Sequence, residues 1–209
     1  MAGPSIAFLV FDGLTPLDFV GPFEVLCRLP GVATRIVSPS GGDVAAAGGR
    51  LRIGADAAIA EVEAADVLVV PGGPGARALM TDAAVTAWVA KIAATARFTA
   101  SVCTGALILG GAGLLHGREA ATHWAARPLL AQFGAVPVAQ RIVDHGTLFT
   151  AAGVSAGIDL ALLLAARIAG EDVARAIQLR IEYDPQPPFD SGSAETADPR
   201  IRDLSMTVG

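Results

Sequence analysis

One cysteine lies where the sequence changes from a strand pattern to a helix pattern. Residues 98–102 (FTASV) are apolar and β-branched, Cys103 follows them, and small or apolar residues continue from Gly105 in helical fashion. Such a junction is typical of a nucleophile elbow, which lifts one side chain above the edge of a sheet. The small neighbours Ser101 and Gly105 would leave room for a substrate. Cys103 is therefore the candidate nucleophile.

The chemistry of Cys103 depends on its charge, because the thiolate is the form that attacks electrophiles. A helix that begins directly after the cysteine points free backbone N–H groups and the positive end of its dipole at the sulfur. We expect these groups to favour the thiolate, so that a thiol with an ordinary pKa of about 8.5 reacts at neutral pH. The alternative is a buried cysteine that only fills space in the core.

Asp18 is the candidate partner of Cys103. It lies in residues 15–22 (TPLDFVGP), where Thr15 and Pro16 open a helix after the first strand pattern and where its neighbours are apolar. A carboxylate in such surroundings is costly unless it has a partner or a function, and burial would raise its pKa. We interpret Asp18 as an acid/base group, with a purely structural role as the alternative.

A cysteine enzyme often uses a histidine as base, and the chain has three, His116, His123 and His145. None of them is adjacent to Cys103 in the sequence. Only His123, in residues 121–124 (ATHW), has a neighbourhood that suggests a site. A buried, hydrogen-bonded structural role for His123 is equally open.

Glycines follow other strand patterns. Gly72 and Gly73 come after the buried run 67–70 (VLVV) and would let backbone N–H groups approach a ligand closely. The spacing of residues 72–78 does not fit a dinucleotide fingerprint, and a tight turn without a ligand is the alternative. Residues 153–155 (GVS) open a further helix after another strand pattern. Because ligands bind at the carboxyl ends of parallel strands, these segments and Cys103 should lie at one edge of the sheet.

Composition argues against several classes of function. The chain has 209 residues, of which 53% are hydrophobic and 17% charged, and its formal net charge is −5. The lack of a Lys/Arg cluster disfavours nucleic-acid binding, and charged residues or glycines interrupt every apolar stretch before it reaches the length of a membrane span. No export signal is recognisable, and the two distant cysteines, Cys27 and Cys103, suggest no disulfide framework. We therefore expect a cytoplasmic protein, with its excess hydrophobicity buried in a sheet and a homodimer surface.

Strand and helix patterns alternate along the chain, which predicts a doubly wound α/β fold with a mostly parallel sheet sandwiched by helices. We expect one domain over residues 1–209, with an irregular tail from about residue 183. The first helix should turn Leu17, Val20, Phe23, Val25 and Leu26 to the core and should be kinked or split at Pro22. The predicted strands are 5–11, 34–39, 67–70, 98–102, 141–143 and 147–151, the predicted hairpin is 43–56, and the later helices are 82–96, 125–133, 155–168 and 171–181.

Six motifs together carry a family resemblance. They are residues 17–22 (LDFVGP), 70–73 (VPGG), 101–105 (SVCTG), 122–125 (THWA), 153–159 (GVSAGID) and 182–189 (EYDPQPPF). Through them the chain resembles the isocyanide hydratase family, in the PfpI-like branch of the class I glutamine amidotransferase-like superfamily, from about residue 6 to 193. The elbow alone indicates the superfamily, whereas Asp18, Thr104 and the tail motif indicate this family.

The resemblance implies a flavodoxin-like fold and a lyase that needs neither a metal nor an organic cofactor. It makes Cys103 the nucleophile and Asp18 the acid/base group, and it implies a small isocyanide as substrate and a homodimer. Val154 stands where the family would have isoleucine. The substrate-binding or supporting residues that it implies are Thr104, Gly72, Gly73, Gly105, His123 and Val154.

The chemistry also follows from the residues themselves. The terminal carbon of an isocyanide, R–N≡C, accepts a soft nucleophile when a proton is supplied at the same time. Attack by Cys103 with a proton from Asp18 would give a thioimidate, and the carboxylate would then activate water to release an N-substituted formamide. A thiol and a carboxyl that interact in this way titrate as a pair.

Other classes remain as alternatives or are disfavoured. A glutamine amidotransferase would need a His and Glu pair near its C-terminus, and no histidine follows His145. A PfpI-type peptidase or glyoxalase-like enzyme usually has His after the nucleophile and Glu on the first helix, where this chain has Thr104 and Asp18. The ligand-sensing domain of AraC-type regulators shares the Leu-Asp and Gly-Pro segments, but the sequence shows no basic helix-turn-helix region. A redox sensor based on Cys103 is the last alternative.

Overall fold

The structure, a computed structural model, describes residues 3–208 of the chain. Its strands are β1 (Ser5–Leu9), β2 (Ala33–Ser38), β3 (Gly42–Ala45), β4 (Arg52–Ala55), β5 (Ala57–Ala58), β6 (Val67–Val70), β7 (Phe98–Val102), β8 (Glu119–Ala120), β9 (Val136–Pro137), β10 (Ile142–Asp144) and β11 (Leu148–Ala151). Its α-helices are α1 (Pro16–Leu26), α2 (Ala76–Leu79), α3 (Ala83–Ala93), α4 (Gly105–Gly111), α5 (Ala156–Ala169), α6 (Glu171–Arg180) and α7 (Pro199–Ser205), and 3₁₀ helices cover Ile59–Glu61 and Trp124–Phe133.

The central sheet has the strand order β10–β11–β7–β6–β1–β2–β5. Neighbouring strands are parallel except for the antiparallel pair of β10 and β11. Five of the parallel strands, β2–β1–β6–β7–β11, follow the order 2-1-3-4-5 that is typical of flavodoxin-like folds. Strand order reverses between β1 and β6, so this edge of the sheet is where such folds bind their ligands. The predicted doubly wound α/β fold is confirmed.

The central strands β1, β6 and β7 are apolar because helices cover both faces of the sheet. Every residue of β6 and β7 is buried, as is the stretch 6–9 of β1. Helix α3 buries Val85, Trp88, Val89 and Ile92. The Nε1 of Trp88 donates to the carbonyl of Val62 at 2.8 Å. The predicted hairpin is formed by β3 and β4.

Helix α1 differs from its prediction in two ways. It is not split at Pro22, because a single helix runs from Pro16 to Leu26 through that proline. Val25 and Leu26 are buried as predicted, but Leu17 and Val20 are each 42% exposed, and Asp18 and Phe19 are buried instead. Apolar residues occur on both faces of α1, so hydrophobicity alone did not identify the face that packs on the sheet. In the observed orientation of α1, the carboxyl group of Asp18 lies inside the protein.

Three smaller differences concern the connections. Residues 124–133 form a 3₁₀ helix that contains Pro128, rather than an α-helix. The short helix α2 was not predicted, and α7 interrupts the tail that was expected to be irregular. Among residues 3–208, no helix combines the length and hydrophobicity needed to cross a membrane.

Candidate active site

Cys103 lies at the junction of β7 and α4 with a φ of +56°, which is unusual for a residue other than glycine. Its backbone N–H donates to the carbonyl groups of Ala151 at 3.2 Å and Ala152 at 2.9 Å. Its own carbonyl accepts from Oγ1 of Thr122 at 2.7 Å. These hydrogen bonds hold the strained residue in place, and its side chain is only 4% exposed. The elbow predicted at Cys103 is present.

Asp18 reaches the same place from the first turn of α1 and is fully buried. Its Oδ2 accepts from the backbone N–H of Gly72 at 3.1 Å, and its carboxyl lies beside the thiol of Cys103. Strands β1, β6 and β7 are neighbours, so their carboxyl ends bring Asp18, Gly72 and Cys103 together. The structure thus joins the two residues that the sequence singled out from positions 85 residues apart.

Burial controls the charges of this pair. It raises the pKa of Asp18 to about 6, against the opposing effects of the Cys103 thiol and the Gly72 N–H. Burial and the negative charge of Asp18 raise the pKa of Cys103 to about 12, although backbone hydrogen bonds from Thr104 and Val154 act in the opposite direction. The expected backbone donors therefore exist, but the expectation that they make the thiolate dominant is wrong. At neutral pH the pair holds one proton, on sulfur, and Asp18 is ionised.

Thr104 connects the elbow to the end of β6. Its Oγ1 accepts from the N–H of Gly73 at 2.7 Å and donates to the carbonyl of Gly73 at 3.0 Å. The N–H of Gly72 likewise donates to a side chain of the protein, the carboxyl of Asp18. The expectation that Gly72 and Gly73 offer their N–H groups to a ligand is therefore wrong, since both groups have acceptors within the protein. These glycines position Asp18 and Thr104 instead.

The two small residues beside the nucleophile do not make room for a substrate. A Cβ on Gly105 would lie 2.1 Å from the carbonyl oxygen of Val70, so glycine is needed there because α4 begins against the end of β6. Ser101 is fully buried in β7. Both residues fit the protein tightly around the elbow.

Val154 contacts the sulfur of Cys103, and His123 packs against the neighbouring Gly153. The backbone of Val154 hydrogen bonds to the sulfur, and its φ of +27° is an outlier for a β-branched residue. His123 is partly buried, and its Nδ1 accepts from the N–H of Ala125 at 3.3 Å. Burial lowers the pKa of His123, and the charges of Arg127 and Arg77 lower it further, which keeps the ring neutral. The ring packs against Gly153, so His123 supports the segment that contacts the sulfur.

A cavity of about 410 Å³ lies beside the elbow. Its wall includes Val154 and Ala152, which contact Cys103, but not Cys103 itself. Arg127 and Glu195 form an ion pair in this wall. Sequence reasoning missed this pair because its members are 68 residues apart and Glu195 belongs to a tail without a periodic pattern.

Comparisons with known proteins agree with this architecture. The DJ-1/PfpI family model matches residues 4–167. The chain is 44% identical over 199 residues to the isonitrile hydratase of Pseudomonas putida, which covers 95% of this chain and 87% of that enzyme. A crystal structure of a ThiJ/PfpI family protein from Pseudomonas syringae superposes with a TM-score of 0.94 at 40% identity, covering 99% of this chain and 86% of the other.

More distant relatives include transcriptional regulators. The HTH-type regulator GbdR of Pseudomonas aeruginosa is 31% identical over 189 residues, which is 86% of this chain and 51% of the regulator. The match to the family model extends over most of the chain, and the isonitrile hydratase is similar over nearly its whole length. The chain therefore belongs to the DJ-1/PfpI family.

Proposed function

We propose that this protein hydrates isocyanides to N-substituted formamides, as its similarity to an isonitrile hydratase suggests. One observation carries the proposal: the carboxyl of Asp18 is fully buried against the thiol of Cys103. A nucleophile and a proton donor that face the same small volume are what addition to the terminal carbon of an isocyanide requires.

In the first step, the sulfur of Cys103 forms a bond to the terminal carbon while its proton passes to the carboxylate of Asp18. Because burial disfavours a free thiolate, the proton leaves only as the carbon–sulfur bond forms. Asp18, with a pKa of about 6, then gives the same proton to that carbon. The product is a thioimidate, R–N=CH–S–Cys103, and Asp18 is again a carboxylate.

In the second step, the carboxylate of Asp18 takes a proton from water, whose oxygen attacks the thioimidate carbon. The proton passes to nitrogen and gives R–NH–CH(OH)–S–Cys103. The carbon–sulfur bond then breaks, and the hydroxyl proton returns through Asp18 to sulfur. This releases R–NH–CHO and restores the thiol, so one water is consumed in each cycle.

The other predicted residues have supporting roles in this proposal. The N–H groups of Thr104 and Val154 stabilise negative charge on sulfur as its proton leaves. Gly72 fixes the carboxyl of Asp18, Thr104 and Gly73 fix the elbow, and Gly105 allows α4 to begin close to β6. We assign His123 to support of the cavity wall, because its ring packs against Gly153 and its Nδ1 accepts from the N–H of Ala125.

The test is turnover of a small alkyl isocyanide, followed by NMR detection of the formamide. Cys103→Ala should abolish the product and Asp18→Asn should remove most of it, whereas Cys27→Ala, which changes the other cysteine, should retain full activity. Mass spectrometry should detect an adduct on Cys103 during turnover. Formamide production by Cys103→Ala at the wild-type rate would reject the mechanism.

We also propose that the protein is a homodimer. Leu17 and Val20 lie one helical turn apart on α1 and are both partly exposed, which suits a surface that a second copy covers. Light scattering coupled to size exclusion would measure the mass, and Val20→Asp should shift it towards that of the monomer. One domain over residues 1–209 and a cytoplasmic location stay predictions.

A further inference from the structure

The cavity beside the elbow contains a feature that the reaction above does not use. Resting on the proposed function, we propose that Arg127 selects isocyanides whose substituent carries a carboxylate, and that the carboxylate of Glu195 occupies the place of that group in the free protein. The substrate class would then be isocyano carboxylates. In the free protein, the carboxylate of Glu195 would occupy the position of the substrate carboxylate.

The position of the cavity supports this inference. Ala152 and Val154 belong to its wall, and their backbone groups contact Cys103. An isocyano group is linear and narrow, so it suits a sulfur that is nearly buried, while the wider cavity has room for a substituent. A substrate oriented in this way would place its substituent in the cavity, and Arg127 belongs to the cavity wall.

The charged residues of the cavity wall indicate that the cavity binds an anion. Two arginines contribute to it, Arg127 and Arg141, and Glu195 is the only acidic residue among the described residues of the wall. Arg141 is already paired with Asp159, which lies on α5 and also accepts from the hydroxyl of Tyr183 at 2.8 Å. Arg127 has its partner in the C-terminal tail. Displacement of the tail would therefore leave Arg127 as the cation that lacks a partner.

The Arg127–Glu195 pair has the properties of an exchangeable contact. Nη1 of Arg127 donates to Oε1 of Glu195, while its buried Nε has no hydrogen-bond partner among the described residues. Arg127 and the hydroxyl of Ser193 lower the pKa of Glu195 to about 2, so its carboxylate is present at neutral pH. The side chain of Glu195 is 43% exposed and lies outside helices and strands. A substrate carboxylate can take its place on Nη1, and a bidentate contact can use Nη1 together with Nη2.

The experiment compares kcat/KM for isocyano carboxylates of two to six carbons with kcat/KM for their methyl esters. The ratio of the acid value to the ester value cancels effects that act equally on all isocyanides. Arg127→Gln should lower this ratio about tenfold, because a charged hydrogen bond is lost. Glu195→Gln should raise it about two- to fivefold, because an exposed ion pair no longer competes.

Matched controls make the same charge changes elsewhere. Arg175→Gln and Glu171→Gln alter an exposed ion pair on α6, outside the cavity, and should leave the ratio unchanged within about twofold. An unchanged ratio in Arg127→Gln, or an equal change in Arg175→Gln, would overturn the inference.

A binding measurement separates this inference from the proposed function. With Cys103→Ala, N-formylglycine and its methyl ester can be titrated while the fluorescence of Trp124, which lies in the cavity wall, is followed. The carboxylate should bind more tightly than the ester, and Arg127→Gln should remove about tenfold of that preference. Equal binding of acid and ester contradicts the role of Arg127, whereas absence of turnover of every isocyanide, acid or ester, by the wild-type protein contradicts the proposed function.

Discussion

The two sides of the site are built by different means. On the buried side, which comprises Asp18, Gly72, Cys103 and Thr104, each group is held by backbone atoms at the ends of adjacent strands. On the outer side, which comprises Arg127 and Glu195, two partly exposed side chains meet from distant parts of the chain. The comparison suggests that the fold fixes the chemistry firmly, whereas recognition of the substituent depends on a contact that is easily remade.

The two sides differ in whether water can replace a hydrogen-bond partner that is lost. A buried group that loses its hydrogen-bond partner stays without one, which costs about 1–3 kcal/mol. An exposed ion pair that breaks is solvated, and its loss costs at most about 1 kcal/mol. Substitutions should therefore have large effects on stability on the buried side and small ones on the outer side.

The largest effect is expected for Gly72→Ala. The new Cβ would lie 2.4 Å from the backbone N of Thr104 and 2.9 Å from Oδ2 of Asp18, neither of which can move without disturbing the elbow. We expect a loss of about 3 kcal/mol in the free energy of unfolding and near-complete loss of turnover. Urea unfolding measures the first quantity. Gly54→Ala is the control, because its nearest contact would be an ordinary 3.5 Å, and equal destabilisation by both variants would contradict a tight fit at Gly72.

The second effect concerns Asp18 and depends on pH. Its pKa rises from 3.8 to about 6 on folding, so its contribution to stability is fully present below pH 3.8 and is lost as the pH rises through 6. The neutral amide of the Asp18→Asn variant does not ionise and loses nothing over this range. Relative to the wild type, Asp18→Asn should therefore gain stability between pH 4 and pH 7, by up to about 3 kcal/mol.

Urea unfolding of both proteins at pH 4 and at pH 8 measures this gain, and a difference that is the same at both pH values would show that burial does not strain the Asp18 carboxylate. The same ionisation governs catalysis in the opposite direction. Because Asp18 must be ionised to accept the thiol proton, kcat/KM of the wild type should fall below about pH 6.

The third effect is that of Thr104→Val. The substitution preserves shape but removes the hydroxyl that bonds to both backbone groups of Gly73, and these groups are buried. We expect a loss of about 2 kcal/mol in the free energy of unfolding and a lower kcat, because the elbow is no longer fixed to β6. Thr104→Ser keeps the hydroxyl and should stay within about 1 kcal/mol of the wild type. If Thr104→Val were as stable and active as Thr104→Ser, the hydroxyl of Thr104 would not be what fixes the elbow to β6.

The buried side was largely predictable from the sequence because it follows from local patterns. The apolar run before Cys103, the helix after it and the unusual Asp18 within an apolar helix all indicated residues at strand ends, and parallel strands bring such ends together. The sequence did not reveal that burial outweighs the backbone donors at Cys103. That balance depends on how completely water is excluded, and Leu17 and Val20 show that even the buried face of α1 was not evident.

The outer side was not predictable for a related reason. No local pattern links Arg127 to Glu195, since a single ion pair between distant segments leaves no periodicity in the sequence. Gly72 and Gly73 show the converse error: their sequence suggested contact with a ligand, but only the structure shows acceptors at both N–H groups. What a donor binds depends on tertiary neighbours, which spacing along the chain does not specify.

The smallest effect is expected for the Arg127–Glu195 pair. Arg127→Gln, Glu195→Gln and the double variant should each change the free energy of unfolding by less than about 1 kcal/mol, because water replaces the lost partner. The double-mutant cycle from urea unfolding isolates the pair, and 1 M salt should reduce its interaction energy further. The same variants should nevertheless alter selectivity for carboxylates severalfold, since a substrate presents its carboxylate to Arg127 within a cavity that excludes part of the water. A coupling energy of several kcal/mol would instead place this pair with the rigid groups of the buried side, and the tail would then be a fixed wall of the cavity.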